Sequence, residues 1–251
     1  MRKRGRWQGM WTIVRFNWPF YAVALVSLVI CGTGAVCWWG SFAGWALGLV
    51  CGGVVYFLIG SLGVAHFIYD RSDLYRFGWL VRALGEKRVR RGIFCHSGFD
   101  EVSAMVREMI SPGQWLVIDH YDEALMGEPS IRRARRAFPP DGGTVAAGFD
   151  RWPADDGWAD VIFGILAVHE LREHAERVGW FREAGRCLVD GRRVILVEHL
   201  RDVPNLLAFG PGFLHFHSRE SWKKCWEEAG LVRVDEFGIT PWVRCFVLEK
   251  R

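Results

Sequence analysis

Between Asn17 and Ile68 the chain has no aspartate, glutamate, lysine or arginine, and His66 is the one side chain there that titrates near neutral pH. This absence excludes an ordinary solvated segment and leaves room for two membrane spans of roughly 20 residues each. Cysteine pairing is also missing. Cys31, Cys37, Cys51, Cys95, Cys187, Cys225 and Cys245 are scattered, without metal-knuckle or redox spacing, which excludes a zinc ribbon or a disulfide framework. No basic stripe with interleaved aromatics is present, so no nucleic-acid partner is expected. Internal repeats and low-complexity stretches are absent as well.

All 32 basic and 28 acidic residues lie outside the charge-free stretch. Residues 19–39 form a first candidate span, Gly40 and Ser41 a tight turn, and residues 42–68 a second span. Arg2, Lys3, Arg4, Arg6 and Arg15 precede the pair, and Arg71, Arg76, Arg82, Lys87, Arg88, Arg90 and Arg91 follow it. The first group also resembles the basic region of a signal peptide, but the run is too long for one and a second span follows directly. The positive-inside rule then puts both ends in the cytoplasm, as an integral protein of the inner membrane. Trp7, Trp11, Trp18, Trp38 and Trp39 stand where interfacial anchors belong. Gly44, Gly48 and Gly52 give the second span a smooth face that receives either the first helix or a second copy of the chain. The net charge of +4 reflects the basic flanks, which attract anionic lipid.

The organisation expected is an anchor over residues 1–68, a juxtamembrane linker over 69–87 and a domain over 88–251. Within that domain the pattern alternates. Strands are expected at 93–95, 115–118, 144–149, 159–168 and 193–197, with helices at 99–110, 130–138 and 172–188. A helix capped by Ser218 and ended by Gly230 precedes two final strands, 232–237 and 244–248. Such alternation predicts an α/β fold, a Rossmann-like parallel sheet covered on both faces, with a C-terminal antiparallel hairpin. Ligands in such sheets bind beyond the carboxyl ends of the strands.

Two segments carry a family likeness. Residues 150–160, DRWPADDGWAD, run into the fourth strand, and residues 188–198, LVDGRRVILVE, lead into the fifth. Together with the seven-strand count they resemble the class I S-adenosylmethionine-dependent methyltransferases, over about 164 residues. That likeness implies S-adenosylmethionine as cofactor. It implies that Asp119, ending the second strand, accepts hydrogen bonds from the ribose hydroxyls, and that Asp150, with Arg151 beside it, meets the adenine. The family's first motif is a glycine-rich loop. Here the corresponding residues 96–101 read HSGFDE, with one glycine, so His96, Ser97, Gly98 or Asp100 must hold the methionine end. As plain turn formers, Asp119 and Asp150 would need no ligand.

Strand four leads into His169 and Glu170, strand five into Glu198 and His199, and the following loop carries Arg201, His215 and His217. Four of the eight histidines thus gather at one rim. Acid–base catalysis by His169, Glu170 and His199 is one reading, with Arg201, His215 and His217 contacting the acceptor. A zinc or iron site is a second, although no compact metal motif is present and no metal is assigned. Mutual hydrogen bonding is the third. Leu206, Leu207, Phe209, Phe213, Leu214 and Phe216 make the same loop strongly apolar, which suits either a channel for a lipid, quinone or other amphipathic acceptor or simply the core of a lid. The rival to an enzyme is a non-catalytic membrane adaptor on a degenerate fold.

Overall fold

The structure, a computed structural model, describes residues 5–250; Arg2, Lys3 and Arg4 of the first basic flank lie outside the described residues. The chain opens on a short helix, α1 (Gln8–Phe16), in the stretch expected only as a charged flank. Asp70 caps it across a long sequence gap, accepting from Gly9 N at 2.6 Å and Met10 N at 3.0 Å. A carboxylate there satisfies amides that the helix itself leaves free. Trp7 stacks on His66, whose Nδ1 is 3.0 Å from the same Asp70.

Two apolar helices follow, α2 (Trp18–Cys37) and α3 (Phe42–His66). Pro19 falls in the first turn of α2, where a missing amide donor costs nothing. Ser41 starts α3, its hydroxyl accepting from Gly44 N. Both helices are long and apolar enough to cross a membrane, and Phe20, Phe42 and Leu49 are 73%, 91% and 80% exposed. The glycines of α3 divide. A Cβ on Gly44 would lie 2.2 Å from the Trp38 carbonyl oxygen, whereas one on Gly48 or Gly52 would meet nothing within 4 Å. Only the first glycine of the expected smooth face is therefore packed against α2 and the turn after it.

From His66 the chain continues through a π-helical turn, Phe67–Arg71, to α4 (Leu80–Leu84). Residues 69–87, expected as a linker, contribute five buried side chains to the core. Leu74, Phe77, Trp79, Leu80 and Ala83 are buried against one face of the sheet. Each large side chain so covered is worth about 1.5–3 kcal/mol.

The sheet comprises β1 (Arg91–His96), β2 (Gln114–Asp119), β3 (Thr144–Ala146), β4 (Ala159–Ile165), β5 (Leu188–His199), β6 (Leu231–Thr240) and β7 (Val243–Lys250). Its order is β3-β2-β1-β4-β5-β7-β6, parallel except at β7. The helices α5 (Ser103–Ile110), α6 (Pro129–Ala137), α7 (His174–Cys187), α8 (Val203–Phe209) and α9 (Arg219–Glu228) connect the strands. Trp180, Phe181, Trp222 and Trp226, from α7 and α9, fill the core on one side. Val106 of α5 joins the 68–83 segment on the other.

Among the elements that are shorter than their sequence periodicity suggests, which include β3 and α7, two have a visible cause. Helix α5 begins at Ser103 because Asp100 takes the amides of Val102 and Ser103 in a turn of its own (3.0 and 2.9 Å). Strand β4 stops at Ile165 because Leu166 adopts φ 50°, a left-handed conformation unusual for leucine. That kink swings the chain into a 3-10 turn, Val168–Glu170, and aims His169 and Glu170 at the strand-end cleft.

Candidate functional site

At the ends of β1 and β2, Asp119 is 3% exposed and gathers donors around it. Its Oδ1 accepts from Gly98 N at 2.8 Å and Tyr121 N at 3.0 Å, and its Oδ2 is bound by the Arg135 guanidinium. Burial alone would raise this carboxyl; Arg135, His96 and the two amides overcome that and hold it below its usual value. Burial lowers the pKa of neighbouring His96 against the pull of Asp119 and Asp100. Both ring nitrogens of His96 are buried without a hydrogen-bond partner among the described residues, with Nδ1 3.5 Å from Asp119 Oδ1. Ser97 donates to Ala167 O at 3.0 Å, tying the end of β1 to the turn after β4.

Gly98 has φ 84°, as the turn after β1 requires, and the Tyr121 ring lies where its Cβ would point, 2.7 Å away. Arg135 stacks over that ring at 4.4 Å. Arg135, from the basic run of α6, thus covers the loop. Arg133 of the same run also donates to Phe16 O, and Phe16 meets Phe99 and Phe138 edge-on.

The structure brings His96, Ser97, Gly98 and Asp119 together, while Asp150 and Arg151 are exposed. The buried place beside them belongs to Trp152 and His120, with rings 5.5 Å apart. His120 Nδ1 is 3.0 Å from Ala147 O and its Nε2 accepts from Trp180 Nε1 at 3.2 Å. That pairing fixes the proton on Nδ1, and burial pushes the His120 pKa down to about 4.

A second cluster lies beyond β4 and β5. Glu198, fully buried, accepts from the amides of Ala167, Val168 and His169 through Oε1. Its Oε2 is 2.7 Å from His169 Nδ1. His169 Nε2 therefore faces Glu170, whose Oε1 is 3.6 Å from it and 3.6 Å from His215 Nε2. His215 Nδ1 lies 3.1 Å from Glu128. Burial opposes charge on His215, but Glu128 and Glu170 reverse this and raise it to about 9. Arg172 donates to the backbone carbonyls of both His169 and His215. Three of these groups, His169, Glu170 and His215, each offer an atom within 4.8 Å of the others, close enough to hold one metal ion.

Three expected site residues are engaged in holding the fold. His199 is 3% exposed, with Nε2 2.9 Å from the Tyr69 hydroxyl and Nδ1 near Asn205 Oδ1 and Trp242 O. Both its nitrogens are occupied and Phe216 stacks on its face, so His199, expected as a base, ties Tyr69, Asn205 and the Trp242 carbonyl together in this structure. His217 is buried against Trp222, and its Nε2 accepts from Arg177 at 3.2 Å. Arg201 donates to Phe216 O and Leu214 O, stapling the loop it was expected to serve as a ligand contact. Conversely, Tyr121, Arg135, Glu128 and Tyr69 reach the site from segments whose sequence carries no motif.

No family model matches the chain, and no curated protein matches it in sequence. Solved structures do match in shape. A SAM-dependent methyltransferase from Aquifex aeolicus superposes with a TM-score of 0.52 at 14% identity, covering 70% of this chain and 90% of its own. A SAM-dependent methyltransferase from Methanosarcina mazei gives 0.50 at 13%, covering 69% and 97%. Geranyl diphosphate C-methyltransferase from Streptomyces coelicolor, solved with Mg2+, geranyl diphosphate and S-adenosyl-L-homocysteine, gives 0.51 at 14%, covering 76% and 84%. The chain has the class I methyltransferase fold, as the sequence likeness implied, preceded by two apolar helices.

Proposed function

We propose that the protein is an S-adenosylmethionine-dependent methyltransferase, anchored in a membrane by α2 and α3, whose acceptor is a lipid, a quinone or another amphipathic small molecule. The observation that carries the cofactor reading is Asp119. It is a buried carboxylate at the end of β2, bonded to the amide of a positive-φ glycine just after β1, in a sheet of methyltransferase order. The residue types fit the cofactor. Asp119 would accept from the ribose hydroxyls with charge-assisted bonds, and the unpartnered nitrogens of His96 suit the polar methionine end. Asp150 and Arg151 would meet the adenine from the exposed side. Entry requires the Tyr121 ring and the Arg135 side chain to move aside, because they occupy the approach.

When bound, the cofactor supplies an electrophilic methyl group. The chain's own residues position the acceptor and manage its proton. His169, oriented by Glu198, presents Nε2 to the cleft beside Glu170, and either can take a proton as the acceptor attacks. The acceptor class rests on the loop after β5. Gly210 packs on Phe57 of α3, so the loop lies alongside the apolar hairpin. Its Val203, Leu207 and Leu214 are more than half exposed, an apolar surface continuous with the span that suits a bilayer. Full-length protein in detergent, incubated with methyl-labelled S-adenosylmethionine and mixed membrane lipids and quinones, should transfer label to the organic phase. Label appearing only in water-soluble products would overturn the amphipathic acceptor.

A specific observation favours a second reading, the adaptor. Asp119 is already satisfied by Arg135, and Tyr121 covers Gly98. An adaptor would bind cofactor weakly and transfer no label at all.

A further inference from the structure

We propose that His169, Glu170 and His215 form a divalent transition-metal site. One atom from each residue lies within 4.8 Å of the others, and Glu170 Oε1 stands 3.6 Å from both facing Nε2 atoms. Metal–nitrogen and metal–oxygen bonds of about 2.0–2.2 Å place tetrahedral ligand atoms roughly 3.4 Å apart. The two carboxylate–nitrogen distances already lie near that value, and the two histidines, within 4.8 Å of each other, close the rest by side-chain rotation. Two imidazoles and one carboxylate suit zinc, iron or manganese and leave coordination positions open for water or substrate oxygen.

The surroundings distinguish this set from a casual charge cluster. Metal-ligating histidines almost always give their second nitrogen to a carboxylate or carbonyl, which fixes the tautomer and turns the free lone pair to the ion. Both histidines here do so. His169 Nδ1 is 2.7 Å from Glu198, itself held rigid by three backbone amides, and His215 Nδ1 is 3.1 Å from Glu128. Arg172 joins the backbones of the two histidines, so β4's turn and the loop before α9 are fixed relative to each other. The left-handed kink at Leu166 brings Glu170 into the set. Strain of this kind survives where surrounding structure over-determines it. Glu170 and His215 have side chains 14% and 24% exposed, so an ion can enter. The site stands independently of the cofactor reading, since no residue of the Asp119 cluster takes part. A bound ion would act on an oxygen-bearing acceptor as a Lewis acid and would occupy both His169 and Glu170, so that these two side chains serve as proton acceptors only in the metal-free protein.

Untagged full-length protein in detergent, stripped with chelator and titrated with Co2+ in the absence of cofactor, tests this directly. The expected result is one ion per chain with visible d–d bands and no thiolate charge-transfer band, which separates the site from the seven cysteines. His215→Ala and Glu170→Gln should abolish that binding, and Glu128→Ala should weaken it about 10-fold or more. His174→Ala removes an exposed ion pair with Glu228 and should leave it unchanged. The thermal midpoint of each chelated variant establishes that it is folded. Failure of folded wild-type protein to bind, or binding that survives both His215→Ala and Glu170→Gln, overturns the site. Because S-adenosylhomocysteine binding is titrated separately, either reading can fail without the other.

Discussion

Three donors converge on Asp119, and one of them, the Arg135 guanidinium, belongs to α6. Arg135 competes for the oxygen that ribose would use. A hydrogen bond to a charged partner is worth about 1.5–3 kcal/mol, so Arg135→Ala should bind S-adenosylhomocysteine roughly tenfold more tightly by calorimetry. Weaker binding would instead make Arg135 part of the cofactor's own contacts. His120 supplies a pH dependence. Its folded pKa of about 4 lies below its usual 6.5, so between these values the unfolded chain binds the proton and the folded one does not. The stabilisation is complete above pH 6.5 and drains away as pH falls towards 4, by at most about 3 kcal/mol. Thermal midpoints in detergent should therefore fall less steeply over that window in His120→Gln than in the wild type. Sequence made Asp119 legible, because an acid ending an apolar strand stands out. It did not make Tyr121 or Arg135 legible, since a basic amphipathic helix reads as solvated until its partner is known.

Elements were the most readable scale. The charge-free stretch marks α2 and α3 closely, Ser41 and Ser218 are caps as their side chains suit, and the hairpin of β6 and β7 follows from two strands with no helix between them. Termini proved less legible where a side chain competes for backbone amides, as Asp100 does at α5, or where φ turns positive, as at Leu166. Helix α1 was missed because its cap, Asp70, lies 61 residues away. The hairpin of α2 and α3 has its own test. Gly44→Ala would drive a methyl into the Trp38 carbonyl, while Gly48→Ala meets open space. The first should lower the thermal midpoint and increase protease cleavage at the turn. The second should change neither, and equal effects would contradict the described packing.

At the scale of the whole molecule, the helices at the N-terminus and the sheet are interlocked. Arg133 holds Phe16, Tyr69 reaches His199, and Phe57 seats Gly210. The sheet also depends on Leu74, Phe77, Trp79 and Leu80 for one face. A fragment of residues 88–250 would expose that face, so it should aggregate or bind hydrophobic dye on gel filtration. A monodisperse, dye-silent fragment would show the sheet to be self-sufficient. The helices α1 and α6 meet at Phe16, whose carbonyl accepts from Arg133 and whose ring packs on Phe138.

The cluster around Asp119 is proposed to bind S-adenosylmethionine. Calorimetric titration of the detergent-purified full chain with S-adenosylmethionine and S-adenosylhomocysteine, beside Asp119→Ala, tests it most directly. Saturable binding of both ligands, weakened at least tenfold by the substitution, is the predicted result. Folded protein that binds neither ligand would contradict it.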